Sequence, residues 1–213
     1  MSDIISAAGV ILLRQGFPEK EVEVLLLKRN PALKVHGGHW VFPGGKFDAE
    51  DFSAAGLTSH NIDLKKPPEL SPRQLLTIAA QAAVRETKEE AGVTLTTNAV
   101  RFHSRWLSPS QLSKRFDTHF FIAETNTNEI CVDGNEIIDH IWCTPEHAIS
   151  LLRAGKIAMP PATLVSLSNM LNYQSVSEII NVLCQHPIHY RPKLISTEQG
   201  LCSLYEDDVA YDS

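Results

Sequence analysis

Arg85-Glu86-Thr87-Lys88-Glu89-Glu90-Ala91-Gly92-Val93 is the stretch on which the reading of this 213-residue chain turns. On a helix, Glu86, Glu89 and Glu90 stand at i, i+3 and i+4 and share one face. Three carboxylates packed together repel, so helix stability alone would not select them. A hard divalent cation, magnesium or manganese, accounts for the pattern, because such ions prefer oxygen ligands. Arg85, one turn before Glu89, can orient it. The competing reading is a solvated acidic face balanced by Arg85 and Lys88.

Upstream, Ser71-Pro72-Arg73-Gln74 is a helix start. Serine caps, proline suits the first turn, and glutamine three residues on completes a capping box. Alanine- and leucine-rich sequence carries the helix through Glu90, and Gly92 ends it in the left-handed position. Further back, Phe42-Pro43-Gly44-Gly45 closes a short strand that begins at His39. A double glycine there lets the backbone approach a ligand or metal closely. By itself such a pair marks only a tight turn.

The flanking sequence alternates between strand and helix signals. Ile4 to Leu13 and Glu21 to Lys28 are apolar, strand-like runs around a Gly/Pro turn, and predict a hairpin. Phe52 to Glu69 has no period and reads as an inserted loop with at most a helical turn. Val93 to Leu107, Arg115 to Ala123 and Ile137 to Cys143 read as strands, with a polar loop from Asn126 to Asn135. Pro145 to Arg153, Ala162 to Leu171 and Val176 to Cys184 read as helices, and a final hairpin is expected after Ile188. This mixed order predicts an α/β (α+β) fold, a sheet flanked by helices.

The segments together resemble the Nudix hydrolase family. Its box runs G, five residues, E, seven residues, then R-E-aliphatic-x-E-E-x-G-aliphatic. Gly45 is followed after five residues by Asp51, and residues 85–93 supply the second half. Asp51 stands where the first glutamate belongs, with Glu50 beside it, and Thr87 replaces an aliphatic residue. Residues 52–84 fill the space of seven. An insertion there is similar to the coenzyme A diphosphatase subgroup of the family. Further matches are Glu23 to Arg29, Arg115 to Phe121, Ile141 to Glu146 and Met159 to Thr163.

The resemblance implies an α/β/α sandwich with a mixed sheet between helices. It implies a single domain over residues 1–213, with an insertion at about 52–70 and a helical and hairpin extension from about 160. It further implies a metal-dependent hydrolase that attacks the diphosphate linkage of a nucleoside diphosphate derivative. Coenzyme A or an acyl-coenzyme A is the expected substrate; ADP-ribose, a dinucleotide or a nucleotide sugar is the alternative. Glu86, Glu90 and the Gly44 carbonyl are the implied ligands of magnesium or manganese, and Glu89 is either a third carboxylate ligand or the base acting on metal-bound water. Arg85 would orient the carboxylates through Asp51 or Glu50. Glu136 is the expected later acid, with Glu124 and Glu129 as rivals. Arg29, Lys34, His36 and Arg115 are candidates for substrate phosphates; exposed loop charge is the competing reading for the first three, and an Arg115–Asp117 ion pair for the last. A non-catalytic Nudix-fold binding module is the contrasting class, and three intact glutamates argue against it.

Composition narrows the partners. A net charge of -6 and a pI near 5.8 give no electrostatic reason for nucleic-acid binding or an anionic membrane surface. No apolar run approaches a membrane span. Cys131, Cys143, Cys184 and Cys202 form no CxxC pair, and read as reduced thiols of a cytoplasmic protein. A monomer or homodimer acting on a small molecule is expected.

Overall fold

The computed structural model describes residues 4–16, 21–57, 69–197 and 200–205. Ten strands and five helices occur among them. Strand β1 is Ile4–Gln15, β2 Val22–Arg29, β3 Trp40–Val41, β4 Gly44–Lys46, β5 Arg101–Leu107, β6 Arg115–Glu124, β7 Ile137–Cys143, β8 Ile188–Tyr190, β9 Lys193–Thr197 and β10 Gly200–Leu204. The helices are α1 Ala49–Ala54, α2 Pro72–Ala91, α3 Pro145–Arg153, α4 Pro161–Ser168 and α5 Val176–Leu183.

The mixed sheet runs β3-β2-β1-β6-β5-β8, with β4 added to β1 and β7 to β2. Strand β1 is antiparallel to β2 and parallel to β6, which makes it central. Its unbroken apolar run follows from that place, since a central strand is covered on both faces. Ala8, Val10 and Leu12 join the core beneath α2, whereas Ile11 and Leu13 join the core beneath α3, α4 and α5. The two-residue alternation of a strand divides one sequence between two cores.

Helix α2 begins with the predicted capping box, in which Ser71 and Gln74 exchange bonds. It ends at Gly92 with φ 73°, a left-handed conformation that glycine adopts without strain. Ala79, Ala82 and Ala83 are fully buried, and their small side chains let the helix lie close to the sheet. Thr87 sits among them at no solvent exposure, and its hydroxyl donates to the Ala83 carbonyl at 2.7 Å. A threonine is therefore tolerated where the motif has an aliphatic residue: its methyl packs and its hydroxyl is satisfied within the helix.

Two readings of the sequence need correction. The stretch from Val93 to Leu107 is strand only from Arg101; Val93 and Val100 are buried in the core without pairing, and a turn closes between Thr96 and Ala99. The glycine strand is two short strands, β3 on β2 and β4 on β1, separated by Phe42-Pro43. Proline has no N–H for a ladder, and its carbonyl instead accepts from Val10 N at 2.9 Å. The helical turn read in the inserted stretch is the end of helix α1, which begins before it and is capped by Asp48 and Asp51. An acid three residues after an Asx cap was the available signal. The rest of the insertion, 58–68, lies outside the described residues, as does the hairpin turn at 17–20.

His103 and His119 are buried in β5 and β6, and burial depresses both pKa values to about 4. Neither nitrogen of His103 makes a well-formed hydrogen bond, and His119 Nδ1 is likewise unbonded. Both folded values lie below the ordinary 6.5, so the fold binds the neutral rings. Their stabilisation is complete above about pH 6.5 and is lost as pH falls towards 4. Urea midpoints should fall between about pH 7 and pH 5, by on the order of 1–2 kcal/mol per histidine. His103→Leu should remove part of that fall; an unchanged pH profile would contradict the burial argument.

Candidate active site

Helix α2 carries its last two turns over β4, so the glutamates meet the glycine turn. Gly44 N donates to Glu90 Oε2 at 2.8 Å. The two halves of the motif are thus in direct contact despite the insertion between them. A Cβ on Gly45 would crowd the Glu86 carboxylate and force it to shift. Glycine here lets the backbone of β4 and that carboxylate occupy adjacent space.

Arg85 organises the acids. Its Nε and Nη2 donate to the two oxygens of Asp51, each at 3.0 Å, in a bidentate fork. Nη1 reaches Glu86 Oε1 and Glu89 Oε2, both at 3.0 Å, and Nη2 also donates to the Lys46 carbonyl at 2.9 Å. Burial alone would lower the Arg85 pKa, but the Asp51 hydrogen bonds and the surrounding carboxylates outweigh it and hold the guanidinium more firmly charged than usual. Asp51 is the partner that the sequence left open between two acids. Its side chain is 2% exposed, against 67% for Glu50, which lies 3.4 Å away.

Burial pushes Glu90 up to about 8; the Gly44 N–H and Arg29 work against this, and Glu86 and Glu136 add to it. Burial also raises Glu86, with Arg85 opposing. Glu89 is half exposed at the rim. Arg29 ends β2 with Nη1 3.7 Å from Glu90 Oε1 and Nη2 3.3 Å from Glu136 Oε2. The predicted later acid is therefore joined to Glu90 through Arg29. Asp133 shapes the turn before Glu136, accepting from the N–H groups of Asn135, Glu136 and Ile137.

Other candidates stand apart. Arg115 donates to the Ser108 carbonyl at 3.1 Å, and Asp117 pairs with Arg105, so the expected Arg115–Asp117 pair does not form. Lys34 is exposed, and His36, with φ 52°, packs edge-on to His39. Glu124 closes β6 and Glu129 lies in the following connection; no hydrogen bond or ion pair given for the described residues joins either to the glutamates. Sequence reasoning missed the Lys46 carbonyl as an anchor of Arg85, and assigned Arg29 to phosphate without its acidic partners. Neither carried a sequence signal, since both depend on how β4 and β7 sit.

The donor set suits magnesium or manganese: carboxylate oxygens beside a glycine turn that a side chain would fill. Among the described residues, no three acidic, histidine or cysteine side chains already stand as a coordination sphere. Glu86 and Glu89 face Arg85, and Glu90 faces Gly44 and Arg29.

A family profile described as NUDIX domain matches residues 78–163, from within α2 into α4. The chain is thus similar to the Nudix hydrolases. The Nudix profile begins after the insertion, and the glycine half of the motif lies before it. The acyl-coenzyme A diphosphatase NUDT19 of Xenopus laevis is 24% identical across 90% of this chain and 72% of its own length. A NUDIX hydrolase from Alicyclobacillus acidocaldarius superposes with a TM-score of 0.73 at 20% identity, covering 88% of this chain and all of that one. The NUDIX domain of Shewanella oneidensis NrtR, solved with ADP ribose, superposes at 0.53 with 14% identity over 79% of this chain and 88% of that one. These superpositions establish the Nudix fold. No helix among the described residues is long and apolar enough to cross a membrane.

The burial contrast between the two neighbouring acids yields a test. Asp51→Ala leaves Arg85 without its fork and α1 without part of its cap, and should cost about 3 kcal/mol, the scale of breaking a buried pair. Glu50→Ala should stay within about 0.5 kcal/mol, as an exposed contact does. Urea denaturation of both variants measures this; equal costs would refute Asp51 as the partner.

Proposed function

We propose that this chain is a metal-dependent diphosphatase. It hydrolyses the diphosphate linkage of a nucleoside diphosphate derivative, with coenzyme A or an acyl-coenzyme A as substrate. The meeting of Glu86 and Glu90 with the 44–46 turn, with Glu89 held beside them by Arg85, carries the hydrolase reading. Likeness to an acyl-coenzyme A diphosphatase over 90% of the chain supports the substrate class. On this reading residues 1–213 form one domain, and α1, at the start of the insertion, is fastened beside α2 with Phe52 in the shared core.

Glu86 and Glu90 would hold magnesium or manganese, with Glu89 and Gly44 as further donors. Such an ion supplies positive charge against the diphosphate oxygens and makes water a better nucleophile. Glu89, at the exposed rim, takes the proton of the attacking water. The new oxygen–phosphorus bond forms as the bridging oxygen–phosphorus bond breaks, and the leaving phosphate carries away the electron pair. Arg85 keeps Glu86 and Glu89 aimed at one point, which spares reorganisation during the reaction. Glu136 approaches the same point from the β7 side.

A panel of diphosphates assayed with magnesium and manganese, products identified by mass, tests the substrate. Coenzyme A should yield 3',5'-ADP and 4'-phosphopantetheine faster than ADP-ribose is cleaved. Turnover of ADP-ribose or a dinucleotide at least about tenfold better would refute the substrate class and leave the hydrolase standing.

Glu90→Gln separates catalysis from folding. The amide oxygen can still accept from Gly44 N. Because burial raises the Glu90 pKa, its charged form destabilises the metal-free fold as pH rises from 4.5 through about 8. The variant should therefore melt no lower than the parent at about pH 8, yet lose at least about a hundredfold in hydrolysis. It should also lose most of the melting shift that magnesium gives the parent. Retained activity and an absent metal shift in both proteins would sink the metal-site reading.

A further inference from the structure

Arg29 stands beside Oε1, the Glu90 oxygen that Gly44 N does not engage. Its backbone is clamped: the N–H donates to the His39 carbonyl at 2.9 Å, and the carbonyl accepts from Gly38 N at 3.0 Å. Its Nε donates to the Val35 carbonyl at 3.3 Å. These bonds hold the side chain, 17% exposed, with its two terminal nitrogens towards Glu90 and Glu136. Asn30 N also donates to the Glu136 carbonyl at 2.8 Å, which ties the start of β7 to the end of β2.

Glu90 Oε2 is engaged by Gly44 N, which leaves Oε1, and Oε1 faces the guanidinium at 3.7 Å. A magnesium ion bonds oxygen at about 2.0–2.1 Å. Placed on Oε1, it would enter the space that Arg29 already fills with positive charge. Two cations cannot share that space without strong repulsion in a partly buried setting.

Resting on the metal-dependent reading above, we propose that Arg29 is a built-in counter-cation for Glu90 and Glu136, which the divalent ion must displace. Arg29 is thus a positioning residue that sets metal affinity. It keeps the two acids drawn together in the metal-free protein and weakens the ion's hold on them. Removing it should tighten metal binding, whereas removing an ordinary supporting residue would weaken it.

Calorimetric titration of the intact chain with magnesium alone, at about pH 8.5, above the Glu90 value, tests this. Arg29→Gln should bind magnesium at least about fivefold tighter than the parent, within the usual range of coupling between two sites. Lys88→Gln removes an exposed charge from α2 and should change affinity by less than about twofold. Without metal, Arg29→Gln should melt below the parent, and saturating magnesium should narrow that gap. Equal or weaker binding by Arg29→Gln, or equal tightening by Lys88→Gln, overturns the proposal. Should Arg29→Gln fold poorly, a crystal structure of the magnesium-loaded parent decides: the guanidinium withdrawn from Glu90 supports displacement, and an unmoved guanidinium overturns it. A parent that binds no magnesium overturns the metal-dependent reading and this one with it.

Discussion

The fork between Arg85 and Asp51 is the constraint around which the site is arranged. One guanidinium spans four acceptors from three segments: Asp51 on α1, Glu86 and Glu89 on α2, and the Lys46 carbonyl on β4. Asp51 is buried, and a buried carboxylate without a cation would carry a large desolvation cost. The pairing therefore fixes where α1 docks on α2. With α1 in place, Phe52 is delivered to the core and meets Phe47 edge-on at 6.3 Å between ring centres. The same fork leaves Glu86 and Glu89 no freedom to splay apart under mutual repulsion.

Glu90 obeys a different balance. It is the deepest of the three glutamates, and its neighbours are a backbone N–H on one side and Arg29 on the other. Desolvation dominates, so its carboxyl loses its proton with difficulty. The metal site proposed above would gain from this arrangement. The acid is kept available but neither fully neutralised nor fully solvated, and its charge is best expressed when a cation is present. Glu89 at the rim has water around it, which suits a group that exchanges protons.

Much of this was legible in the sequence where local rules governed it. Ser71, Gln74 and Gly92 bounded α2 because caps act through bonds to their own neighbours. The i, i+3, i+4 glutamates were legible for the same reason. Residues governed by long-range pairing were not. Val93 and Val100 have strand-like side chains, yet burial beneath α2 uses them without a ladder partner. Arg115 and Asp117 alternate as expected of a strand, but their partners, Ser108 and Arg105, come from the preceding strand and its end. Arg29 looked like a free cation because Glu136 lies 107 positions away in sequence. Only the β2–β7 pairing brings them together.

The insertion puts the energetic question most sharply. Widening the space within the motif from seven residues to the 33 of 52–84 lengthens the connection between the two halves of the site. Treated as fully flexible, that lengthening costs only about 1.4 kcal/mol of closure entropy, because the cost grows with the logarithm of length. The opposing contributions are local. Burying Phe52, 2% exposed, is worth about 1.5–3 kcal/mol by itself. The Asp51 fork fastens the entry to the insertion, and Gln81 adds a bond to the Ala54 carbonyl at 3.3 Å. Both ends are therefore held by regular structure: α1 beside Arg85, and the capped start of α2 at the far end of the helix that carries the glutamates. The anchors, and not the stretch between them, therefore set where Asp51, Glu86 and Glu90 stand.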